Sequence, residues 1–176
     1  MIMRPGQPLL LPASPLFIWG SLFVALLLNM LINMGMVGRA AWAPDLLALT
    51  LVFWTVHQPL RVSVGLAFAF GLAMDVHQTA LLGQHALAYT VLGYLALFIH
   101  RRVLWFSVPV QALHVLPLFA AAQALVLVVR LISGGSLSGW QVVLAPLFTA
   151  LLWPVAHLVL LAPQHGAHDH DENRPI

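Results

Sequence analysis

Acidic side chains are so rare in the apolar part of this chain that each one needs a chemical explanation. Asp75 is the only acid between Asp45 and Asp169. A carboxylate inside or at the edge of an apolar segment is costly unless a hydrogen-bonding or ionic partner compensates it. The sequence offers three candidate partners: Arg39, His77 and His85.

Two interpretations of Asp75 are open. In the first, Asp75 is a buried carboxylate whose pairing holds the helices together or forms a contact with a partner protein. In the second, Asp75 is a helix N-cap at the edge of the membrane, since Gln78 three residues later gives the spacing of a capping box.

Catalytic and metal-binding patterns do not occur elsewhere. The six histidines from His57 to His157 lie in different segments without His-x-x-x-His or His-Glu-x-x-His spacing, and the serines have no evident base and orienting acid nearby. The histidines and acids between His165 and Glu172 have ligand types that could bind a divalent metal weakly, but a disordered polar tail is the preferred interpretation. We therefore predict no catalytic residue, no metal site, no cofactor and no enzymatic activity. An intramembrane enzyme that pairs Asp75 with a histidine is the competing hypothesis.

The composition is that of a protein whose main solvent is lipid. Of the 176 residues, 61% are hydrophobic and 7% are charged, whereas soluble domains carry about 25% charged residues. The apolar runs are continuous rather than alternating, which excludes a β-barrel and predicts membrane helices. The basic residues are scattered, so no nucleic-acid partner is predicted.

Six apolar runs predict an all-α membrane protein, a compact bundle of six transmembrane helices. The predicted membrane domain covers residues 1–162, and residues 163–176 are predicted to be a disordered polar tail. The second and third runs are short for membrane spans, and three interpretations are open. They form two short spans, a re-entrant hairpin, or one long helix kinked at Pro59. The runs are 16–37, 46–56, 62–75, 84–99, 109–132 and 140–162.

The arginines favour one orientation in the membrane. With six spans and the N terminus inside, Arg61, Arg101 and Arg102 are cytoplasmic, which obeys the positive-inside rule. A single kinked helix would place Arg101 and Arg102 outside, against that rule. We therefore predict a multi-pass membrane protein with both termini in the cytoplasm, in which Arg101 and Arg102 determine topology and attract anionic lipid headgroups.

Several small residues and two residues at a helix start are candidates for structural roles. Gly65, Gly71 and Gly83 are predicted to allow close packing of helices. Pro44 is predicted to occupy the first helical position of the second helix, with Asp45 in its first turn.

Polar and aromatic side chains within the apolar runs allow predictions of where these side chains lie. Asn29 and Asn33 lie four residues apart on one helix face, and we predict that both face other helices. The tryptophans are interpreted as anchors at the membrane interface, with a place in the core as the alternative for Trp54.

The order of motifs between residues 44 and 102 resembles the MreD family of bacterial rod shape-determining membrane proteins. The matching segments are Pro44-Asp45-Leu-Leu-Ala-Leu-Thr-Leu-Val-Phe-Trp54, His57-Gln-Pro-Leu-Arg61, Gly65 to Gly71-Leu-Ala-Met-Asp75, Leu82-Gly83-Gln-His-Ala86-Leu87 and Arg101-Arg102. The resemblance marks Pro44, Asp45, Arg61, Gly65, Gly71, Asp75 and Gly83 as candidates for partner binding or for a structural motif.

The resemblance implies a role in the elongation of the bacterial cell wall. It implies a scaffold in the inner membrane that controls rod cell shape by binding MreC and supporting peptidoglycan synthesis. The MreB cytoskeleton and rod-type wall synthases are further implied partners, beside membrane lipid, and no enzymatic activity is implied. The family's fold is similar to that of the substrate-binding subunits of energy-coupling-factor transporters.

That last similarity leaves a second function open. A substrate-capturing membrane subunit of a small-molecule transporter, of the vitamin type, would need a polar pocket near the outer face. Its predicted lining is Asn29, Asn33, Gln84 and His85.

Overall fold

The computed structural model describes residues 14–34, 42–78, 81–135 and 139–165, and all regular structure in these ranges is helical. The α-helices are α1 (Pro15–Asn33), α2 (Leu46–His57), α3 (Val64–His77), α4 (Gln84–Val103), α5 (Val108–Ile132), α6 (Leu144–Leu151) and α7 (Trp153–His165), and a 3-10 turn (Trp140–Val143) precedes α6. The prediction of an all-α membrane protein is confirmed.

Three segments are long and apolar enough to cross a membrane by length and composition: α1, α5 and Gln141–Ala162. The last of these comprises α6 and α7, which are separated at Leu152. Pro154 explains this break because proline has no N–H to donate and its ring crowds the carbonyl four residues earlier, that of Ala150. The helix then continues to His165, beyond the predicted domain end at residue 162, and residues 166–176 lie outside the described ranges.

The short helices α2 and α3 are separate, and the chain reverses between them. Asn29 of α1 contacts both Asp45 at the start of α2, at 2.9 Å, and Met74 near the end of α3, at 4.0 Å. The start of α2 and the end of α3 therefore lie at the same end of the bundle. The alternative of one long helix kinked at Pro59 is wrong.

Helix α2 is the centre of the core. Every residue from Leu47 to Val56 is buried, as expected of a helix that is apolar on all sides and enclosed by others. Trp54 is completely buried and its indole N–H donates to the Ser21 hydroxyl of α1 at 2.8 Å, which confirms the core interpretation of this residue.

Trp153 differs from its prediction. Its side chain is completely buried and its indole N–H donates to the Gln111 carboxamide oxygen at 3.1 Å. The interpretation as an interface anchor is therefore wrong here: Gln111 gives the indole N–H a partner inside the bundle, so the large ring can be buried without loss of a hydrogen bond.

The beginning of α2 also corrects a prediction. The helix begins at Leu46, so Pro44 is not its first residue and Asp45 is not in its first turn. Asp45 is the N-cap, and its carboxylate accepts a hydrogen bond from the Ala48 N–H at 2.9 Å. Aspartate is favoured at this position because it satisfies an N–H that has no partner within the helix.

Candidate functional site

Asp75 lies in the last turn of α3 and is 1% exposed. Its Oδ1 accepts hydrogen bonds from the His85 backbone N–H at 2.7 Å and from the His85 Nδ1–H at 2.8 Å. Its Oδ2 accepts from the N–H groups of Gly83 at 2.9 Å and Ala86 at 3.2 Å. Four donors at the start of α4 thus surround one carboxylate of α3.

The arrangement combines the two interpretations of Asp75. The predicted pairing with His85 is confirmed, and Arg39 lies outside the described residues. The capping box with Gln78 is wrong, because Asp75 belongs to α3 and caps the following helix, α4. The three N–H groups that it binds have no partner within α4, so a carboxylate there also meets the positive end of the helix dipole.

Gly71 allows α3 to approach α4 closely enough for the Asp75 carboxylate to bind the first residues of α4. A Cβ atom at Gly71 would lie 2.4 Å from the Ala86 Cα, closer than real side chains come. Its prediction as a close-packing position is confirmed. Gly93 of α4 has a related role that the sequence analysis missed, since a Cβ there would lie 3.3 Å from the Ala67 Cβ.

The other two glycines do not pack closely against the helices of this chain. Gly83 has a φ of 103° and no atom within 4 Å of an added Cβ, so its role is the left-handed backbone conformation that starts α4. Gly65 is exposed on α3, where an added Cβ would meet only the Ser63 hydroxyl at 3.7 Å. The prediction that Gly65 and Gly83 allow close packing within the bundle is therefore wrong. That prediction depended on residue type and could not take account of the direction in which each position faces.

Asp45 forms a second polar centre, which joins four helices. Its Oδ1 accepts from the Asn29 amide of α1 at 2.9 Å, as well as from Ala48, and its Oδ2 accepts from the Tyr89 hydroxyl of α4 at 2.6 Å. Its own N–H donates to the Thr149 hydroxyl of α6 at 3.0 Å. Asp45 was predicted mainly as a helix start, and the network that it forms with distant helices was not predicted.

The two asparagines of α1 have different environments. Asn29 is buried and faces other helices as predicted. Asn33 is exposed, and its amide donates to the Asn29 carbonyl of its own helix at 2.8 Å. The prediction that Asn33 faces another helix is wrong because its polar group is satisfied locally.

A cavity of about 880 Å³ opens at the end of the bundle where Asp45 and Asp75 lie. Along α5 its wall runs from Phe119 to Arg130, about 16 Å at the helical rise. The predicted pocket residues Asn29, Asn33 and His85 line it, whereas Gln84 is buried elsewhere. Other polar lining residues are Asp45, His77, Gln78, Tyr89, Gln123, Arg130 and Thr149.

The described arginines are distributed unequally between the two ends of the bundle. Arg61 lies in the turn between α2 and α3, and Arg101 and Arg102 lie in the last turn of α4; all three are exposed. This end is opposite the cavity, because α4 begins beside Asp75. Arg130, in the last turn of α5, lines the cavity. Among the described residues, no group of three histidines or acids is arranged to hold a metal ion.

Comparisons with known proteins agree on one family. A family model described as rod shape-determining protein MreD matches residues 13–161. The chain is also similar to the rod shape-determining protein MreD of Haemophilus influenzae, with 30% identity over 128 residues, which cover 70% of this chain and 76% of that relative. No solved structure matches the chain, so the likeness to energy-coupling-factor subunits stays a prediction.

Proposed function

Since the chain belongs to the MreD family of rod shape-determining proteins, we propose that it is a scaffold of the cell-wall elongation machinery in the bacterial inner membrane. In this role it binds the membrane helix of MreC and thereby supports peptidoglycan synthesis and rod shape. The MreB cytoskeleton and the rod-type wall synthases are then neighbours that it reaches directly or through MreC. The proposed mechanism is binding, without a catalytic step.

One surface carries the proposal of helix binding. Gly65, Ala69, Ala73 and Val76 follow one another along a single face of α3, and we call this face the α3 stripe. Gly65, Ala69 and Val76 are exposed and Ala73 is half-buried. Between helices in lipid there is no hydrophobic driving force, so association depends on close backbone approach at small residues, typically spaced four apart. The first three residues of the α3 stripe have this spacing and offer such an approach to a second transmembrane helix.

Bulky residues on the α3 stripe test this proposal. The double substitution Gly65→Leu and Ala69→Leu should abolish co-purification of MreC and give rounded cells, while the chain accumulates normally in the membrane. Gly20→Leu is the matched control, because Gly20 is exposed on α1 and an added Cβ would meet nothing within 4 Å. Normal MreC recovery from the double variant would refute the α3 stripe as the docking surface.

The proposed topology has six spans and both termini in the cytoplasm. It is supported by the three exposed arginines at the end of the bundle opposite the cavity. The chain contains no cysteine, so single introduced cysteines report sidedness cleanly. Gln141→Cys should react with an impermeant maleimide added outside the inner membrane, and Arg102→Cys should react only after the membrane is opened. The reverse pattern would invert the topology.

The cavity favours small-molecule capture as a second candidate function. Three of its four predicted lining residues line it, and its volume lies within the usual range for ligand sites. A transport subunit should co-purify with an energising module, whereas the proposed scaffold should co-purify with MreC. Mass spectrometry of the tagged chain from native membranes in mild detergent distinguishes these two outcomes.

A further inference from the structure

The carboxylate of Asp45 retains one unused acceptor position at the cavity. A carboxylate has about four lone-pair sites. Asn29 and Ala48 occupy two on Oδ1, and Tyr89 occupies one on Oδ2. All three donors are neutral, so none of them compensates the negative charge. An acid within a membrane bundle marks a functional site whose partner is to be identified.

Two further polar groups at the same cavity also lack partners. Gln123 lies near the middle of the 25-residue α5, and its side chain makes no hydrogen bond within the described part of the chain. The Nδ1 atom of His77 is buried and likewise has no partner among those residues. Buried polar groups such as the His77 Nδ1 atom are nearly always hydrogen-bonded, and Gln123 is half-buried, so a polar occupant of the cavity would give both groups a partner.

The charges indicate what kind of occupant fits. An anion bound beside the Asp45 carboxylate would be repelled by it, the more strongly where the dielectric constant is low. A neutral ligand would leave that charge uncompensated. An ammonium group compensates it and offers three donors, which suit the free positions on Asp45 and on the Gln123 carboxamide oxygen. Arg130 lines the same cavity about 10 Å along α5 from Gln123, toward the end of that helix, so the proposed ammonium position lies beside Asp45 and Gln123 rather than beside Arg130.

We propose that this cavity binds a small molecule or lipid headgroup that carries a primary ammonium group, with Asp45 as its counter-ion and Gln123 as its hydrogen-bond acceptor. This site goes beyond the scaffold role and does not depend on it, because it is tested on the purified chain without MreC. The aromatic and aliphatic wall of Phe119, Val126 and Pro146 accommodates the uncharged part of the ligand.

Matched pairs of probes test the charge requirement. The chain is placed in phosphatidylcholine nanodiscs, which carry no net charge and no primary ammonium group and avoid glycoside detergents, and ligand contact is measured by saturation-transfer NMR. Glucosamine and ethanolamine should bind, whereas their neutral counterparts glucose and ethylene glycol, and the anion glucuronate, should bind at least tenfold more weakly. Equal binding of the neutral counterparts, preferred binding of glucuronate, or no binding of either ammonium probe would overturn the proposal.

Two variants locate the site. Asp45→Asn should weaken ammonium binding at least tenfold, and it retains a good N-cap residue for α2. Gln123→Leu should weaken ammonium binding severalfold and leaves the N-cap of α2 unchanged. This variant therefore still tests the site if Asp45→Asn fails to fold. Gln141→Leu is the matched control, since Gln141 is exposed and outside the cavity lining. Unchanged affinity in a folded Gln123→Leu variant would contradict the assignment.

The nanodisc composition distinguishes the two sources of the ammonium group. If a headgroup is the natural occupant, nanodiscs that contain phosphatidylethanolamine should reduce ethanolamine binding, and the lipid should co-purify with the chain. If a soluble compound is the occupant, the two lipid compositions should give equal affinities. Either result supports the ammonium site and assigns its source.

Discussion

Asp75 and Asp45 are both acids at the ends of apolar helices, yet their surroundings differ. Asp75 accepts four hydrogen bonds, all from the first residues of α4, and is shielded from the cavity. Asp45 accepts three, from α1, α2 and α4, and keeps a position that faces the cavity. The first acid joins two consecutive helices, whereas the second joins distant parts of the chain and remains accessible to a ligand.

The difference shows that an acid in a membrane bundle has two uses. Where every acceptor position is filled by the protein, the acid contributes to stability and offers nothing to a partner. Where one position remains and the acid is only half-buried, as at Asp45, the carboxylate can still accept a hydrogen bond from a further group. This comparison predicts that substitutions at the Asp75 site reduce stability most, and that those at the Asp45 site affect stability less and binding more.

Asp75→Ala should have the largest effect on stability. It leaves four buried donors without an acceptor, which should cost at least about 3 kcal/mol. Thermal unfolding in detergent should show a large fall in Tm, with a smaller fall for Asp75→Asn, which keeps one acceptor oxygen. A Tm for Asp75→Ala near that of the unmodified chain would mean that the contacts with α4 do not stabilise the bundle.

Tyr89→Phe should be less costly. It removes one hydrogen bond to a charged acceptor, worth about 1.5–3 kcal/mol, while the ring keeps its packing in the core. The freed Oδ2 position should leave ammonium binding intact. Unfolding measured together with ligand titration checks both points, and a Tm loss as large as that of Asp75→Ala would remove the contrast between the two acids.

Gly71→Ala should cost about 1–3 kcal/mol, because α3 and α4 must separate to admit the new methyl group. The matched control is Gly65→Ala in the same helix, where the added Cβ meets only the Ser63 hydroxyl. That change should be neutral or slightly stabilising, since alanine favours the helix. Equal Tm values for the two variants would show that the approach of α3 to α4 is less tight than the Cα–Cβ distance indicates.

Asn33→Ala should have the smallest effect, within about 0.5 kcal/mol, as for other exposed substitutions. Its amide bonds only to the Asn29 carbonyl of the same helix. The corresponding change Asn29→Ala should be clearly more destabilising, because Asn29 donates to Asp45. Paired unfolding curves compare them, and similar losses would place Asn33 in the Asp45 network.

The sequence was sufficient for the helical membrane fold, and it included His85 among three candidate partners of Asp75. Those two residues are ten positions apart and flank a single turn, so proximity along the chain indicated proximity in space. The network of Asp45 could not be predicted, because Tyr89 and Thr149 lie 44 and 104 positions away.

The sequence also could not predict which individual residues pack in the core, as Gly65, Gly71 and Trp153 show. In a soluble helix, apolar periodicity identifies the buried face. In these helices the lipid-facing and core-facing sides are both apolar, so that signal is absent. Tertiary contacts alone distinguish a glycine that must be small for the bundle to close, such as Gly71, from one that faces outward, such as Gly65.

The Asp75 site also suggests an order of assembly during synthesis. Everything that joins α3 to α4 at this site lies between Gly71 and Ala86, so this helical hairpin can close as soon as α4 leaves the translocon. The Asp45 network needs Thr149 and can be completed only after most of the chain has been made. A nascent chain stopped at the first length at which α4 has left the ribosome and the translocon should already resist proteolysis at the α3–α4 contact, while the cavity forms last.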